Sequence, residues 1–217
     1  MATEQLQAAP YPVASDAPDG PAQILALAQW ARTRVVQVYA SVAARTAAFS
    51  AAGISPTEGM LSWLQDKNRF EEHNGTVWVP LGNARCGGRW RRAAAQSVAT
   101  GGSTTAITWD TEDEDTDGMW SSGTTITIPS GLGGLWLITF QCVAGVTGRS
   151  YMQITPTSAV TGVPAEFRAP IDPAEDRGFV TALVPLNAGD SFTCGVFHST
   201  GAGVNFTAWV SAFRYGD

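Results

Sequence analysis

Charge is scarce in this 217-residue chain: Asp, Glu, Lys and Arg make up only 15% of it, against about a quarter in an ordinary globular domain. Helices with solvated faces are therefore few. The balance is acidic, with a net charge of −6 and an isoelectric point near 4.8. Such a surface repels phosphate backbones, so no nucleic acid is expected as a partner. No apolar run approaches the ~20 residues of a membrane span. The first fifteen residues lack a basic start followed by an apolar stretch, and no secretion signal is expected. Only three cysteines occur, Cys86, Cys142 and Cys194. Their scatter and odd number argue for reduced thiols, with Cys142 and Cys194 acting as small hydrophobes inside strands. Only His73 and His198 supply imidazole. No phosphate-binding loop and no dinucleotide fingerprint is present.

What fills the chain is Gly, Ser, Thr, Ala and Val, with 44% hydrophobic residues. That supports a packed core of strands and turns. The predicted fold class is mainly β: an N-terminal helical stalk, a small β-meander and a C-terminal antiparallel sandwich or jelly roll. Residues 1–20 read as an irregular segment broken by Pro10, Pro12, Pro18 and Gly20. Asp19-Gly20-Pro21 is a helix start, and Gly53 with Pro56 is its stop. Across 21–53, Ile24, Ala28, Ala31, Val35, Val38, Val42, Arg45 and Phe49 recur at alternating spacings of four and three. That is a heptad seam, and β-branched residues at both core positions favour a trimer over a dimer. Leu25, Leu27, Trp30, Val36 and Tyr39 lie off the seam, so an amphipathic helix packed on a domain stays open. Arg45 weakens the seam at its C-terminal end.

Residues 54–88 form the meander and linker. Met60–Leu64, Arg69–Glu71 and Thr76–Val79 read as strands, with Asn74-Gly75 as the hairpin turn. So small a meander needs an external surface to cover its aromatics. Arg85, Arg89, Arg91 and Arg92 cluster around Trp90 and read as a linker entering a first strand, its arginines available to an acidic loop. From 89 to 217, strands are expected at 91–98, 104–109, 124–128, 134–144, 149–156, 178–186, 191–198 and 204–214. Eight short antiparallel segments suggest a sandwich or jelly roll.

Asp110, Glu112, Asp113, Glu114, Asp115 and Asp117 form that acidic loop. Asp113-x-Asp115-x-Asp117-Gly118 matches the first half of a calcium loop, but the closing carboxylate at position twelve would fall on Thr124. The bland reading is a solvated strand connection. Calcium is the one cofactor considered; otherwise none is expected. Cys194 with His198 is read as a buried thiol and a strand-end polar residue, since a nucleophile system needs a base and an orienting group converging on it. The chain is expected not to be an enzyme.

Asp117-Gly118-Met119-Trp120 through Ile128-Pro129, then Gly134-Leu135-Trp136-Leu137, Leu186-Asn187-Ala188-Gly189-Asp190 and the closing Phe206-Thr207-Ala208-Trp209-Val210-Ser211-Ala212-Phe213 occur in this order. Over 89–217 the chain resembles the jelly-roll heads of complement-type collagenous proteins and of tumour necrosis factor. The resemblance implies a homotrimer, with Trp136, Phe140, Phe206 and Phe213 as core or trimer contacts. Tyr11-Pro12, Asp16-Ala17-Pro18-Asp19-Gly20-Pro21 and Pro56-Thr57-Glu58-Gly59-Met60 through Asn74-Gly75-Thr76-Val77-Trp78 are similar to minor structural proteins of tailed bacteriophages. That resemblance implies a virion protein assembled in the bacterial cytoplasm. Its N-terminal region would dock on other virion proteins, and its head would bind a host-surface glycan or receptor through exposed loops. Trp109, Asp113, Asp115, Asp117 and Trp120 are the candidate ligand residues. The alternatives are a capsid decoration or tail-assembly role without receptor recognition, and a polysaccharide hydrolase, which needs two carboxylates in one cleft.

Overall fold

The computed structural model describes residues 2–3, 10–11, 20–32, 35–81 and 86–216. Asp19, most of the irregular N-terminal segment and linker residues 82–85, Arg85 among them, lie outside the described residues. The chain divides into two units, Met1–Ala84 and Arg85–Asp217.

The first unit opens with two residue-pair strands, β1 (Ala2–Thr3) and β2 (Pro10–Tyr11), paired antiparallel. Helix α1 (Gly20–Arg32) follows, then β3 (Gln37–Tyr39), helix α2 (Val42–Ala52), β4 (Leu61–Leu64), β5 (Arg69–His73) and β6 (Trp78–Pro80). The sheet order is β3-β4-β5-β6, with β3 parallel to β4 and the others antiparallel.

The continuous helical stalk over 21–53 is thus corrected. Val35, Val36, Val38 and Tyr39 are β-branched or aromatic, lose side-chain freedom in a helix and fit a pleated surface. Ser41 then starts a new helix: its backbone is extended and its hydroxyl accepts from Ala44 N at 3.2 Å. Gly53 ends α2 as expected, in the left-handed region at φ 62°. The heptad positions are spread over separate elements. Ile24, Ala28 and Ala31 lie on α1, Val35 follows it, Val38 is on β3 and Val42 opens α2, so no single stripe exists to zip a coiled coil.

The second unit holds β7 (Gly87–Val98), β8 (Thr105–Ala106), β9 (Thr111–Asp115), β10 (Thr125–Thr127), β11 (Gly134–Val143), β12 (Ser150–Thr157), β13 (Phe167–Pro170), β14 (Arg177–Leu186), β15 (Ser191–His198) and β16 (Val204–Gly216). One sheet runs β14-β11-β16-β7-β9. The other runs β10-β15-β12-β13, with β8 also paired to β15. Setting aside the short β8 and β9, the remaining eight strands in chain order lie as 6-3-8-1 in one sheet and 2-7-4-5 in the other. Most connections cross between sheets, which is the double Greek key of a jelly roll.

Alternation builds this core. Along β11, Trp136, Ile138, Phe140 and Cys142 face inward and are buried; along β16, Phe206, Ala208, Val210 and Ala212 do the same. Trp136, Phe140 and Phe206 have no exposed surface. Of the two roles left open for them, core or trimer contact, these three take the first: they are core residues of the protomer. Phe213 is half-buried on the opposite face of β16.

Two strands escape the sequence reading. β13 is only four residues long and ends on Pro170. β9 is acidic, and carboxylates are depleted in strands. It forms because β7 lays arginines beside it: Arg89 to Glu114 at 3.2 Å, Arg91 to Asp113 at 3.1 Å and, just before β9, Arg92 to Asp110 at 3.4 Å. The expected pairing of arginines with the acidic run is therefore present, but on a sheet edge and not in a loop. The expected strand over 104–109 shrinks to the two residues of β8.

Candidate functional site

The inward face of β14-β11-β16 is consumed by the core, and the outward face has an unusual composition. Leu137, Val143, Phe179, Leu183 and Trp209 are exposed at 41%, 37%, 70%, 48% and 41%. All sit at odd positions of strands whose even positions are buried. Strand register sorts this face into rows. Leu183, Leu137 and Phe213 are cross-strand neighbours. The next row is Thr181, Thr139 and Ser211, with the first two hydroxyls 3.1 Å apart. The third is Phe179, Gln141 and Trp209, continued by Arg91 on β7. Two recesses open beside this third row. A groove of about 1110 Å³ is lined by Val143, Pro170, Asp172, Glu175, Arg177 and Phe179, among others. A pocket of about 250 Å³ is lined by Arg89, Asp113, Thr139 and Ser211, among others. Gln141 and Trp209 border both.

The residues singled out in the acidic run do not converge on this face. Trp109 is buried edge-on against Phe140, ring centres 6.2 Å apart. Trp120 is half-buried, and its indole donates to the Gly123 carbonyl at 3.3 Å. Asp113 points to Arg91, whose Nε lies 3.1 Å away as an ion pair outside hydrogen-bond alignment. The Asp115 carboxylate accepts from the backbone N–H groups of Asp117, Met119 and Trp120 at 3.2, 3.0 and 3.0 Å. Asp117 accepts from the Thr116 hydroxyl at 2.7 Å. Each carboxylate is thus committed to a different partner, and no group of three His, Cys, Asp or Glu side chains gathers among the described residues. The half calcium loop does not fit a bound ion; Asp115 spends its oxygens closing a turn.

Asp110 has a similar task. Its oxygens accept from Ala93 and Ala94 N–H at 2.8 and 2.9 Å, where the register of β7 against β16 shifts. Burial pushes its pKa up, but those two N–H groups, the Thr111 hydroxyl and Arg92 outweigh it and hold the carboxyl below its ordinary value. Asp190 likewise closes the Asn187–Asp190 turn. Burial is outweighed there by the N–H groups of Asn187 and Ala159 and the Ser158 hydroxyl.

Cys194 and His198 both point inward and are fully buried. Burial raises the Cys194 thiol well above its ordinary value and pushes Cys142 up to about 12. His198 spends Nε2 on the Val98 carbonyl at 2.9 Å and Nδ1 on the Thr200 hydroxyl at 3.0 Å. The pair is therefore not built as a thiolate and its base.

The sequence reading missed Phe179, Gln141 and Trp209. A signal was present. Gly178-Phe179-Val180-Thr181-Ala182-Leu183-Val184 is apolar at both parities, as is Leu135-Trp136-Leu137-Ile138, and such strands present a second apolar face.

No family model matches the chain, and no curated protein matches it. Among solved structures, the globular domain of zebrafish complement 1qA protein is similar at 16% identity, covering 61% of this chain and 99% of its own, with a TM-score of 0.47. The vertex protein P5 of PRD1 is similar at 15% identity, covering 59% and 95%, with a TM-score of 0.45. Murine APRIL is similar at 16% identity, covering 58% and 98%, with a TM-score of 0.42. With these TM-scores below 0.5, the jelly-roll assignment rests on strand order and register.

Proposed function

We propose that this chain is a homotrimeric structural and adhesive protein of a tailed-phage virion, acting by binding and not by catalysis. The observation that carries self-association is the outward face of β14-β11-β16. Single exposed hydrophobes are normal, but a contiguous set on one sheet face marks an interaction surface. Leu183, Leu137 and Phe213 form its most apolar row. Contact between non-identical patches closes into a ring when the rotation is right, and a threefold ring leaves the loops at the sandwich ends free. Three copies on one rigid body give avidity to weak single sites. The resemblance of the N-terminal segments to minor structural proteins of tailed phages supports the virion setting. The proposed contact between copies lies on the sandwich, since β3 interrupts the helical seam.

A second reading, capsid decoration or tail assembly without receptor recognition, is favoured by α1. Its Ile24, Leu25 and Leu27 are exposed and offer apolar surface to another virion protein.

Light scattering on the full chain at two concentrations tests the trimer. The expected mass is three times 22.8 kDa, about 68 kDa. Leu137→Asn combined with Leu183→Asn is expected to return the monomer mass. A wild-type monomer overturns the proposal, and a trimer indifferent to the double substitution removes its structural basis.

A further inference from the structure

The second sheet of the sandwich turns a different composition outward. Three adjacent strands carry the same hydroxyl-apolar-hydroxyl triplet: Thr125-Ile126-Thr127 on β10, Ser191-Phe192-Thr193 on β15 and Thr155-Pro156-Thr157 on β12. The middle residue of each is buried, and the outer two reach the surface. Register aligns them. Thr125, Thr193 and Thr155 form one row, and Thr127, Ser191 and Thr157 form the next. With strands about 4.8 Å apart and alternate residues about 7 Å apart, the six hydroxyls make a lattice. Thr155 Oγ1 accepts from Gln153 Nε2 at 2.8 Å. The other five hydroxyls make no hydrogen bond among the described residues.

Two more rows continue the face: Gly195, Gln153 and Arg168, then Phe197, Tyr151 and Pro170. Gln153 is 8% exposed and firmly held. Its Oε1 accepts from the Thr104 hydroxyl and from Arg168 Nε, both at 3.1 Å. One Nε2 proton goes to Thr155, which leaves the second for a ligand. The Tyr151 and Phe197 rings stack with centres 4.8 Å apart. The Arg168 guanidinium lies 4.5 Å over Tyr151, and that of Arg149 lies 6.0 Å over Phe197. Arg168 is paired with Glu166 at 2.7 Å. Arg149 is exposed and has no carboxylate partner among the described residues. In a chain of net charge −6, this end of the face is positive.

No Leu, Ile or Val lies in these four rows. Another copy packing apolar surface here would leave the hydroxyls and the Gln153 amide buried and unpaired. The contact between copies belongs to the leucine row of the other sheet, and this face stays open in a trimer. A ligand suited to it needs many hydroxyls for the lattice and an anionic group for Arg149, whose guanidinium takes a carboxylate by two parallel hydrogen bonds. We infer that the outward face of β10-β15-β12, with Gln153 and Arg149, is a binding site for an acidic oligosaccharide, a pyranose chain bearing carboxylates. The inference rests on the adhesive role proposed above and names its site and ligand class. The Thr and Ser rows and Gln153 pair with sugar hydroxyls. Arg149 takes a carboxylate at the end where Tyr151 and Phe197 stack.

The test uses the full chain with tetragalacturonate, a hyaluronan tetrasaccharide and an α2,8-linked sialic acid tetramer as acidic probes and maltotetraose as the neutral one. Binding is followed by calorimetry and by saturation transfer to the sugar protons. At least one acidic probe is expected to bind at millimolar concentration, with maltotetraose at least about tenfold weaker. Arg149→Gln is expected to weaken the acidic probe about tenfold, and Thr193→Val about threefold, both with the mass unchanged. Absence of binding by all three acidic probes overturns the site. So does binding indifferent to both substitutions, and so does maltotetraose binding as tightly as the acidic probes. Loss of the oligomer in Thr193→Val also overturns it, because this face would then belong to the contact between copies. Arg149-dependent binding by a wild-type monomer supports the site while defeating the trimer. A stable trimer that binds no acidic probe defeats the site and leaves the trimer standing, so the two failures are separable.

Discussion

In the four-stranded sheet, a buried ion cluster occupies the place that hydrocarbon holds in the sandwich. Arg45, Arg69 and Glu71 are 3%, 7% and 3% exposed. Arg45 Nη1 lies 2.8 Å from Glu71 Oε2 and donates to Ser62 Oγ at 2.6 Å, while Arg69 Nη2 meets Glu71 Oε1 at 2.7 Å. The Arg45 guanidinium also sits 4.1 Å above the Trp78 ring. In the sandwich, Trp90, Trp136, Phe140, Phe192 and Phe206 are fully buried between two sheets. A small sheet carrying one short helix has little apolar area to bury. Its buried charges set which strands and helix meet, and their contribution to stability is weak once desolvation is counted. Two facing sheets need no such device. The difference also explains Arg45, the residue that spoiled the heptad: its task is Glu71.

Three measurements sharpen this contrast. The largest effect belongs to the sandwich. Trp136→Ala removes a ring of zero exposure whose indole donates to the Leu132 carbonyl at 3.1 Å. It is expected to cost about 3–5 kcal/mol in urea unfolding. A cost under about 1 kcal/mol would mean that this core repacks freely.

Next comes Glu71→Gln, which removes the negative charge that two buried guanidinium groups share and is expected to cost about 3 kcal/mol. Hydrogen exchange should show the loss in the amides of residues 61–80 and leave those of β11 and β16 protected. Replacing the cluster whole, with Arg45→Met, Arg69→Met and Glu71→Leu together, is expected to retain that stability. A triple variant as damaged as the single one would contradict the cluster's role as a selector of partners.

The smallest effect is on pH. The carboxyls of Asp110 and Asp190 are held below their ordinary 3.8 in the fold. The folded state therefore binds their protons less readily than the unfolded chain does. Their contribution is fully present above that value and disappears as pH falls through the lowered pKa values. Melting temperature is expected to fall below about pH 4, with a shallower fall in Asp190→Asn. Identical acid profiles would remove Asp190 from the account.

Much of the sandwich was legible because its strands alternate and its turns carry their own chemistry. Ile126, between two threonines, and the Asn187–Asp190 turn are local patterns. The seam over 24–49 was misread because apolar residues spaced three and four apart also arise where a helix, a β-branched strand and a second helix follow one another. The β-branched cluster of Val35, Val36 and Val38 was the stronger signal. β9 was illegible because its five residues favour a strand only when arginines of β7 lie alongside, and those are about twenty residues earlier in the chain.

Residue order by itself determined the mainly β class, most strand positions of the sandwich, and the placing of Cys142 and Cys194 as small hydrophobes inside strands. These follow from alternation and turn preference, which act over a few neighbouring residues. Tertiary structure decided where the acidic run goes, which polar group each aspartate satisfies, and that Phe179, Gln141 and Trp209 share one row. Register between strands distant in sequence is set by the fit of whole faces, and no local period encodes it.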